Sequence, residues 1–360
     1  MPAFFEFLLV ALALYIWEST LWLPKQGVAL RRSWLGKKWR VIQASALLSM
    51  RDLGLVPMSP VPPDIGLAPC ASFPLAVAEN GEIHVSSSDG IFTHSTARAW
   101  EDIRFSKPYL HVGQHRIRCQ SPAVAQLLRD GKLQGLTPAE AIRRAWKLTL
   151  SPSRAKWELR KWSLVSSSLR LYPPALTFGF FLALPFVYFT FGSVATFWFS
   201  IWLWCLMLGC AGNLFWLAKR AYPGARGELR QDALLSLLIP FHAMRSLELA
   251  SVHAFGTTHP TAVLIQANQA NHPWLARFYR EKIFPRPTHP GDAVIARNIL
   301  PLLENHLSKY GFESSSFLSA PDRSEDREAS AWCPRCHGMF LQGKKTCVDC
   351  GNLRLNPFDK

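Results

Sequence analysis

The chain has 360 residues, 49% of them hydrophobic, with 14 Trp and 23 Phe, and its 40 Lys and Arg against 25 Asp and Glu leave a formal charge of +15. That length buries a core without metal or disulfide staples on the whole chain, and the joint apolar and basic excess suits a membrane protein with basic flanks. A basic balance also suits nucleic acid, but here the cations crowd against apolar segments, where anionic lipid headgroups meet them.

Phe4 to Leu23 carries no charge beyond Glu6 and Glu18, close to the ~20 residues a helix needs to cross ~30 Å of hydrocarbon. A cleaved signal peptide would have a basic residue ahead of the apolar stretch and a small-x-small site after it. This start reads Met-Pro-Ala-Phe-Phe-Glu and leaves through Trp17, Trp22 and Pro24, so residues 1–23 read as a retained anchor. Residues 24–72 read as a basic linker. From Phe73 to Cys119 the chain alternates and turns like a small antiparallel sheet, with strands at Glu82–Val85, Ile91–Thr93, Tyr109–Val112 and His115–Arg118, and Ser121-Pro122 then opens a helix to about Arg129.

Thr137-Pro138-Ala139-Glu140 is a capping box with proline at the first helical position, which predicts a helix toward Leu150. Pro152 to Leu171 mixes Trp157, Leu159, Trp162 and Leu164 with five cations and one acid. It reads either as an amphipathic helix in the headgroup plane or as a juxtamembrane helix with a solvated basic face. Together these make a juxtamembrane region, 133–170.

Leu171 to Ala218 contains no Asp, Glu, Lys, Arg or His. A single helix of that length would reach ~70 Å, more than twice the bilayer core, so the run must fold back, and Phe191 to Ala195 is the natural turn. The arms become Tyr172–Thr190 and Thr196–Leu217. The basic residues after the first apolar segment and on both sides of the hairpin place the N-terminus outside and the rest in the cytoplasm. The expected location is a bacterial-type inner (plasma) membrane.

Residues 219–312 read as a helical region, with helices over Glu228–Phe255, Thr261–Tyr279 and Ile295–Leu307. Six histidines gather here: His242, His253, His259, His272, His289 and His306. His242 and His253 are too far apart along an unbroken helix to share one ion, and the three His-Pro dipeptides suit turns or helix entries. No HExxH pair, GxxxxGK[ST], GxGxxG or G-x-S-x-G is present. An enzyme here would use His242, His253 or His259 with Asp232 or Glu248.

Residues 313–330 are polar and read as a flexible linker to a separate module, 331–360. There Cys333-Pro-Arg-Cys336 and Cys347-Val-Asp-Cys350 form two C-x-x-C pairs ten residues apart. Each pair makes a knuckle with both thiolates on one side of an ion, and Gly338 and Gly351 fall where tight turns follow. Redox-active pairs or two disulfides are the alternatives; paired knuckles in a reducing compartment favour metal. Cys70, Cys119, Cys205 and Cys210 show no pairing pattern.

The tail over 331–355 resembles the rubredoxin-like zinc ribbons, and Cys333, Cys336, Cys347 and Cys350 match their ligand pattern, although the spacing between pairs is short. The resemblance implies one structural Zn2+, closed by four thiolates with no position left for water. Iron is the other metal such a site takes. Residues 73–132 resemble the pleckstrin-homology-like domains of some bacterial membrane proteins; the other reading is a small β unit at the membrane surface. The expected fold class is a mixed α+β membrane protein.

The leading functional expectation is a non-catalytic adaptor, held by the lipid bilayer and presenting the ribbon to a cytoplasmic protein partner, with the histidine-region enzyme as the alternative. Nucleic acid is disfavoured: Arg335, Lys344, Lys345, Arg354 and Lys360 face Asp349 and Asp359 with one hairpin aromatic, Phe340, a small electrostatic footprint. Transport finds no polar path through the bilayer centre.

Overall fold

A computed structural model describes residues 2–18, 122–167, 178–221, 258–270, 273–288, 290–323 and 328–358, short strands between 20 and 118, and the pairs 230–231, 234–235 and 254–255. The described helices are α1 (Pro2–Glu18), α2 (Pro122–Leu133), α3 (Pro138–Thr149), α4 (Pro152–Ser167), α5 (Leu184–Ala221), α6 (Pro260–Gln266), α7 (Pro273–Ile283) and α8 (Pro290–Ser308). The chain divides into two compact units, one made of residues 1–69, 156–256 and 267–269, the other of 70–155, 257–266 and 270–360.

In the first unit α1 stops at Glu18, short of the Leu23 expected from the apolar run. Thr20–Trp22 (β1) instead pairs antiparallel with Leu55–Pro57 (β4). A β-branched residue and an aromatic residue, with Pro24 just beyond, favour an extended strand over another helical turn. At ~1.5 Å per residue α1 then reaches only ~26 Å. The stretch read as a basic linker also folds: Val28–Arg32 (β2) lies between Trp39–Ile42 (β3) and Ile65–Leu67 (β5) in an antiparallel sheet, with Leu30 fully buried opposite Val41. Gln269 donates to the Trp39 carbonyl at 2.8 Å and ties residues 267–269 to β3.

The long apolar segment reverses where expected. Gly192 takes φ 81° and ψ −175°, a non-helical conformation inside α5 that a side chain would strain. Beyond it the Thr196 hydroxyl donates to the Gly192 carbonyl four residues back at 2.8 Å. The arms then lie side by side: a Cβ at Gly179 would stand 2.7 Å from Leu203 Cδ1, whereas a straight helix would hold these positions ~36 Å apart. Phe180 and Leu184 on one arm, Leu203 and Met207 on the other and Ala11 of α1 form a buried cluster, and the Phe4 ring stacks on Tyr188 at 4.1 Å. Before α5, Gly179–Ala183 opens into a π-helical turn, since Pro185 has no N–H for the carbonyl four residues back. Among the described residues one helix, Gly179–Gly209, is long and apolar enough to cross a membrane, and it includes the reversal at Gly192. Of the three crossings expected from sequence, α1 falls short of that length, and the two hairpin arms together make up the one continuous apolar segment that meets it.

In the second unit Leu75–Val77 (β6), Ile83–Ser86 (β7) and Phe92–Ser95 (β8) make one antiparallel sheet, and Ile103–Ser106 (β9), Tyr109–Val112 (β10) and His115–Arg118 (β11) make another, with Ile83 and Ile103 buried. The four expected strands fall within a residue or two of place; β6 and β9 were not anticipated. α2 and α3 pack so closely that a Cβ on Gly131 would stand 2.8 Å from the Ala141 Cβ. The capping box forms as read: Glu140 N–H donates to Thr137 Oγ1 at 3.3 Å and Thr137 N–H to Glu140 Oε2 at 3.1 Å. α8 packs against β6, β7, β8 and α3.

Pro260, Pro273 and Pro290 each open a helix, so all three His-Pro dipeptides mark helix entries. The helix expected across Thr261–Tyr279 is two helices, because Asn268 adopts a left-handed φ of 58° and Pro273 restarts the chain. Most of the helix expected over Glu228–Phe255 lies outside the described residues. Within the presumed linker Ser314–Leu318 forms a 3-10 helix, and Phe317 packs its ring 5.6 Å from that of Tyr279 on α7.

Candidate metal centre

The ribbon is built from five two-residue strands: Ala331–Trp332 (β12) between Met339–Phe340 (β13) and Asn356–Pro357 (β16), and Thr346–Cys347 (β14) paired with Leu353–Arg354 (β15). Strands this short cannot bury a core of their own; what they enclose is Cys333, Cys347, Cys350 and Leu355, with Cys336 partly buried. Backbone bonds shape both knuckles. Cys333 N–H donates to the Gly338 carbonyl and His337 N–H to the Cys333 carbonyl, each at 2.9 Å, while Asn352 N–H donates to the Cys347 carbonyl at 2.9 Å. The left-handed position of the first knuckle is His337 (φ 61°), not Gly338, and in the second it is Gly351 (φ 69°) followed by Asn352 (φ 62°).

These turns gather four sulfur atoms within 4.8 Å of one another, and all four cysteines are free thiols. A tetrahedral thiolate site with bonds of ~2.3 Å sets its sulfurs ~3.8 Å apart. Cys336 Sγ and Cys347 Sγ stand at 3.8 Å, far beyond a disulfide, and Gly338 N–H donates to Cys336 Sγ at 3.4 Å. The electrostatics of the protein groups alone are unbalanced. Hydrogen bonds from Cys336 and Cys350 hold the Cys333 thiol down at about 2, whereas burial and the charges of Cys336 and Cys333 push Cys347 up to about 12, and hydrogen bonding with Cys333 and Cys336 raises Cys350 further still. Four sulfurs at this spacing cannot all ionise without a cation among them, so the donor set fits a metal ion. Among the described residues this is the one such cluster.

The residue between the first two ligands turns away from them. The Arg335 side chain is buried and its Nη1 donates to the carbonyls of Glu281 at 2.8 Å and Phe284 at 2.6 Å, the last turn of α7 and the residue after it. In return Arg280 Nε donates to the Arg335 carbonyl at 3.4 Å and Arg280 Nη1 to that of Phe317 at 3.2 Å. A helix C-terminus leaves carbonyls without partners and carries partial negative charge, and a guanidinium fork answers both. Burial, then the neighbouring Arg277, lowers Arg280 to about 10 against the raising effect of Cys336, Glu281 and Cys333. Gly351 seals a second contact, since a Cβ there would collide with Thr288 Oγ1. In the same loop Arg286 clamps Asp292 through two hydrogen bonds, at 2.6 and 3.1 Å. Neither arginine contact was evident in the sequence, where an Arg between two ligands reads as a solvated cation.

His337 is not drawn into the cluster as a further ligand. Its ring meets Trp332 edge to face at 5.2 Å, and burial, with the Arg280 charge, lowers it to about 4 in spite of Cys336. Of the alternative catalytic candidates, His242 and His253, with Asp232 and Glu248, lie outside the described residues. His259 is buried at the entry of α6, where its Nδ1 accepts from Thr261 N–H at 3.3 Å and shares a 2.7 Å hydrogen bond with Thr261 Oγ1, while its backbone N–H donates to the Thr149 carbonyl at 2.7 Å. One ring nitrogen is thus spent on its own helix, while Nε2 is buried without a hydrogen-bond partner among the described residues. Comparisons with protein-family models, with curated proteins and with solved structures find no match.

Proposed function

We propose that this protein is a membrane-anchored adaptor whose ribbon, closed by one structural zinc ion, offers a rigid surface to a protein partner on the cytoplasmic side. The observation that carries the reading is on the ribbon itself. Val348, between the ligands Cys347 and Cys350, is 78% exposed, and Leu341, just after β13, is 57% exposed. Large apolar side chains held out to water on a metal-clipped turn suit burial in a partner, because their positions are fixed before binding and little ordering is required. Four thiolates leave no open coordination position, so the ion is structural, and zinc, which has no redox chemistry, suits that role.

The membrane part of the reading is supported by the hairpin, which exposes Phe186, Phe189, Phe197, Trp198 and Trp202 to its surroundings. Such a surface is stable in hydrocarbon and costly in water. The basic residues flanking the apolar segments favour a cytoplasmic ribbon.

The test compares the wild-type protein with Leu341→Glu/Val348→Glu, purified in detergent, for metal content and for co-purifying proteins. The expected result is one zinc per chain in both and a partner held only by the wild type. An unchanged partner set with zinc retained would end the adaptor reading.

A further inference from the structure

The hairpin is not the only part of the first unit whose exposed chemistry asks for a lipid. α4 from Lys156 onward has one face turned inward, with Glu158, Leu159 and Trp162 buried and the Trp162 ring against Phe255 at 6.3 Å. Its opposite face carries Trp157, 56% exposed, and Leu164, 72% exposed, seven residues apart and therefore on one stripe. Lys156 and Arg160 are exposed beside them, and Lys161 sets its ammonium 4.4 Å from the Trp157 ring centre. The only acid of this stretch, Glu158, points inward, so the outer stripe is purely cationic and apolar.

We infer that this stripe of α4 lies in the interface of an anionic bilayer, with Trp157 and Leu164 at the level of the acyl boundary and Lys156, Arg160 and Lys161 on phosphate groups. The inference rests on the membrane reading of the hairpin above and extends it to a second, charge-selective contact. Two features commit the stripe to lipid. A Trp and a Leu flanked by basic side chains match the layered chemistry of a headgroup region, where amphipathic rings and long cationic stems both find a place. A nucleic acid would leave Leu164 unused. Chain continuity adds to this: α4 ends at Ser167 and the hairpin begins at Gly179, so at most ~40 Å of extended chain separates the stripe from the apolar arm.

The test places a nitroxide on Leu164→Cys in the full-length chain, with Cys70, Cys119, Cys205 and Cys210 replaced by Ser and the ribbon metal retained. A second sample carries the label at Leu206→Cys on the hairpin. Both are reconstituted in bilayers of phosphatidylcholine alone and of phosphatidylcholine with phosphatidylglycerol, and collision with oxygen is compared with collision with a water-soluble nickel chelate. The expected result is a several-fold shift of the Leu164 label toward oxygen in the anionic bilayer, reversed by Lys156→Gln/Arg160→Gln/Lys161→Gln. A Leu164 label open to nickel in both bilayers, while the Leu206 label stays in lipid, overturns the stripe alone. Shielding of Leu164 from both reagents would assign the stripe to a protein and also overturn it. If both labels meet nickel freely, the membrane reading itself falls.

Discussion

Arg335 donates to the carbonyl of Phe284 at 2.6 Å, so a residue that stands between two cysteines of the candidate metal cluster also caps the end of a helix about fifty positions earlier in the chain. Metal binding at the four-cysteine cluster should therefore be coupled to the ordering of α7 through this one side chain. Arg335→Ala should cost roughly 2–3 kcal/mol, since the Glu281 and Phe284 carbonyls lose a charged donor. Arg335→Lys should recover only part, because an ammonium lacks the guanidinium fork. Chemical denaturation followed by the intrinsic tryptophan signal measures both; equal stability of the alanine and wild-type proteins would refute the coupling.

Chelation of the metal, or Cys347→Ser, should release the same contact from the other side. The expected outcome is new protease cleavage within residues 328–358 and faster amide exchange at the C-terminal end of α7, with α3 and its Thr137 cap unaffected. Exchange confined to the ribbon would show that the dock holds without metal.

The histidines give a pH dependence with a definite sign. Burial, then the charges of Lys282 and His306, holds His259 well below 6.5, and burial with Lys309 holds His306 at about 4. Both stay neutral in the folded chain while the unfolded chain gains protons below about pH 6.5. Stability should be level above that pH and decline between about 6.5 and 4, by up to ~1.4 kcal/mol per pH unit for each histidine. An acid titration of the unfolding midpoint checks this: His306→Gln should flatten the slope, and a slope identical to wild type would count against the assignment.

Gly192 provides a test of the reversal. Its φ of 81° with ψ near 180° suits glycine alone, and a Cβ there would meet no neighbour. Gly192→Ala should therefore act through backbone strain only, costing on the order of 1–3 kcal/mol. Spin labels at Phe181→Cys and Leu206→Cys would report whether the arms stay side by side; unchanged coupling together with unchanged stability would mean that the turn does not depend on glycine.

Local chemistry was legible in the sequence and partnership at a distance was not. The Thr137–Glu140 capping box, the reversal near Gly192, most strands between 82 and 118 and the four-cysteine cluster each rest on residues close together in the chain, whose geometry has few alternatives. The sheet at 28–67 escaped because its strands are too short for alternation to rise above the surrounding basic residues. The break at Asn268 was signalled by His272-Pro273, a helix entry that a single helix over Thr261–Tyr279 could not accommodate. Arg335 had no local signal at all: its partners are backbone carbonyls of α7, and no residue type announces them.

The pairing of β12 with β16 brings the chain into and out of the ribbon at adjacent positions, closed further by Phe358 N–H donating to the Ser330 carbonyl at 3.1 Å. Tension applied to the backbone on either side of the ribbon would therefore be borne first by this clasp, while the four-cysteine cluster inside the closed loop would remain unloaded until the clasp had opened.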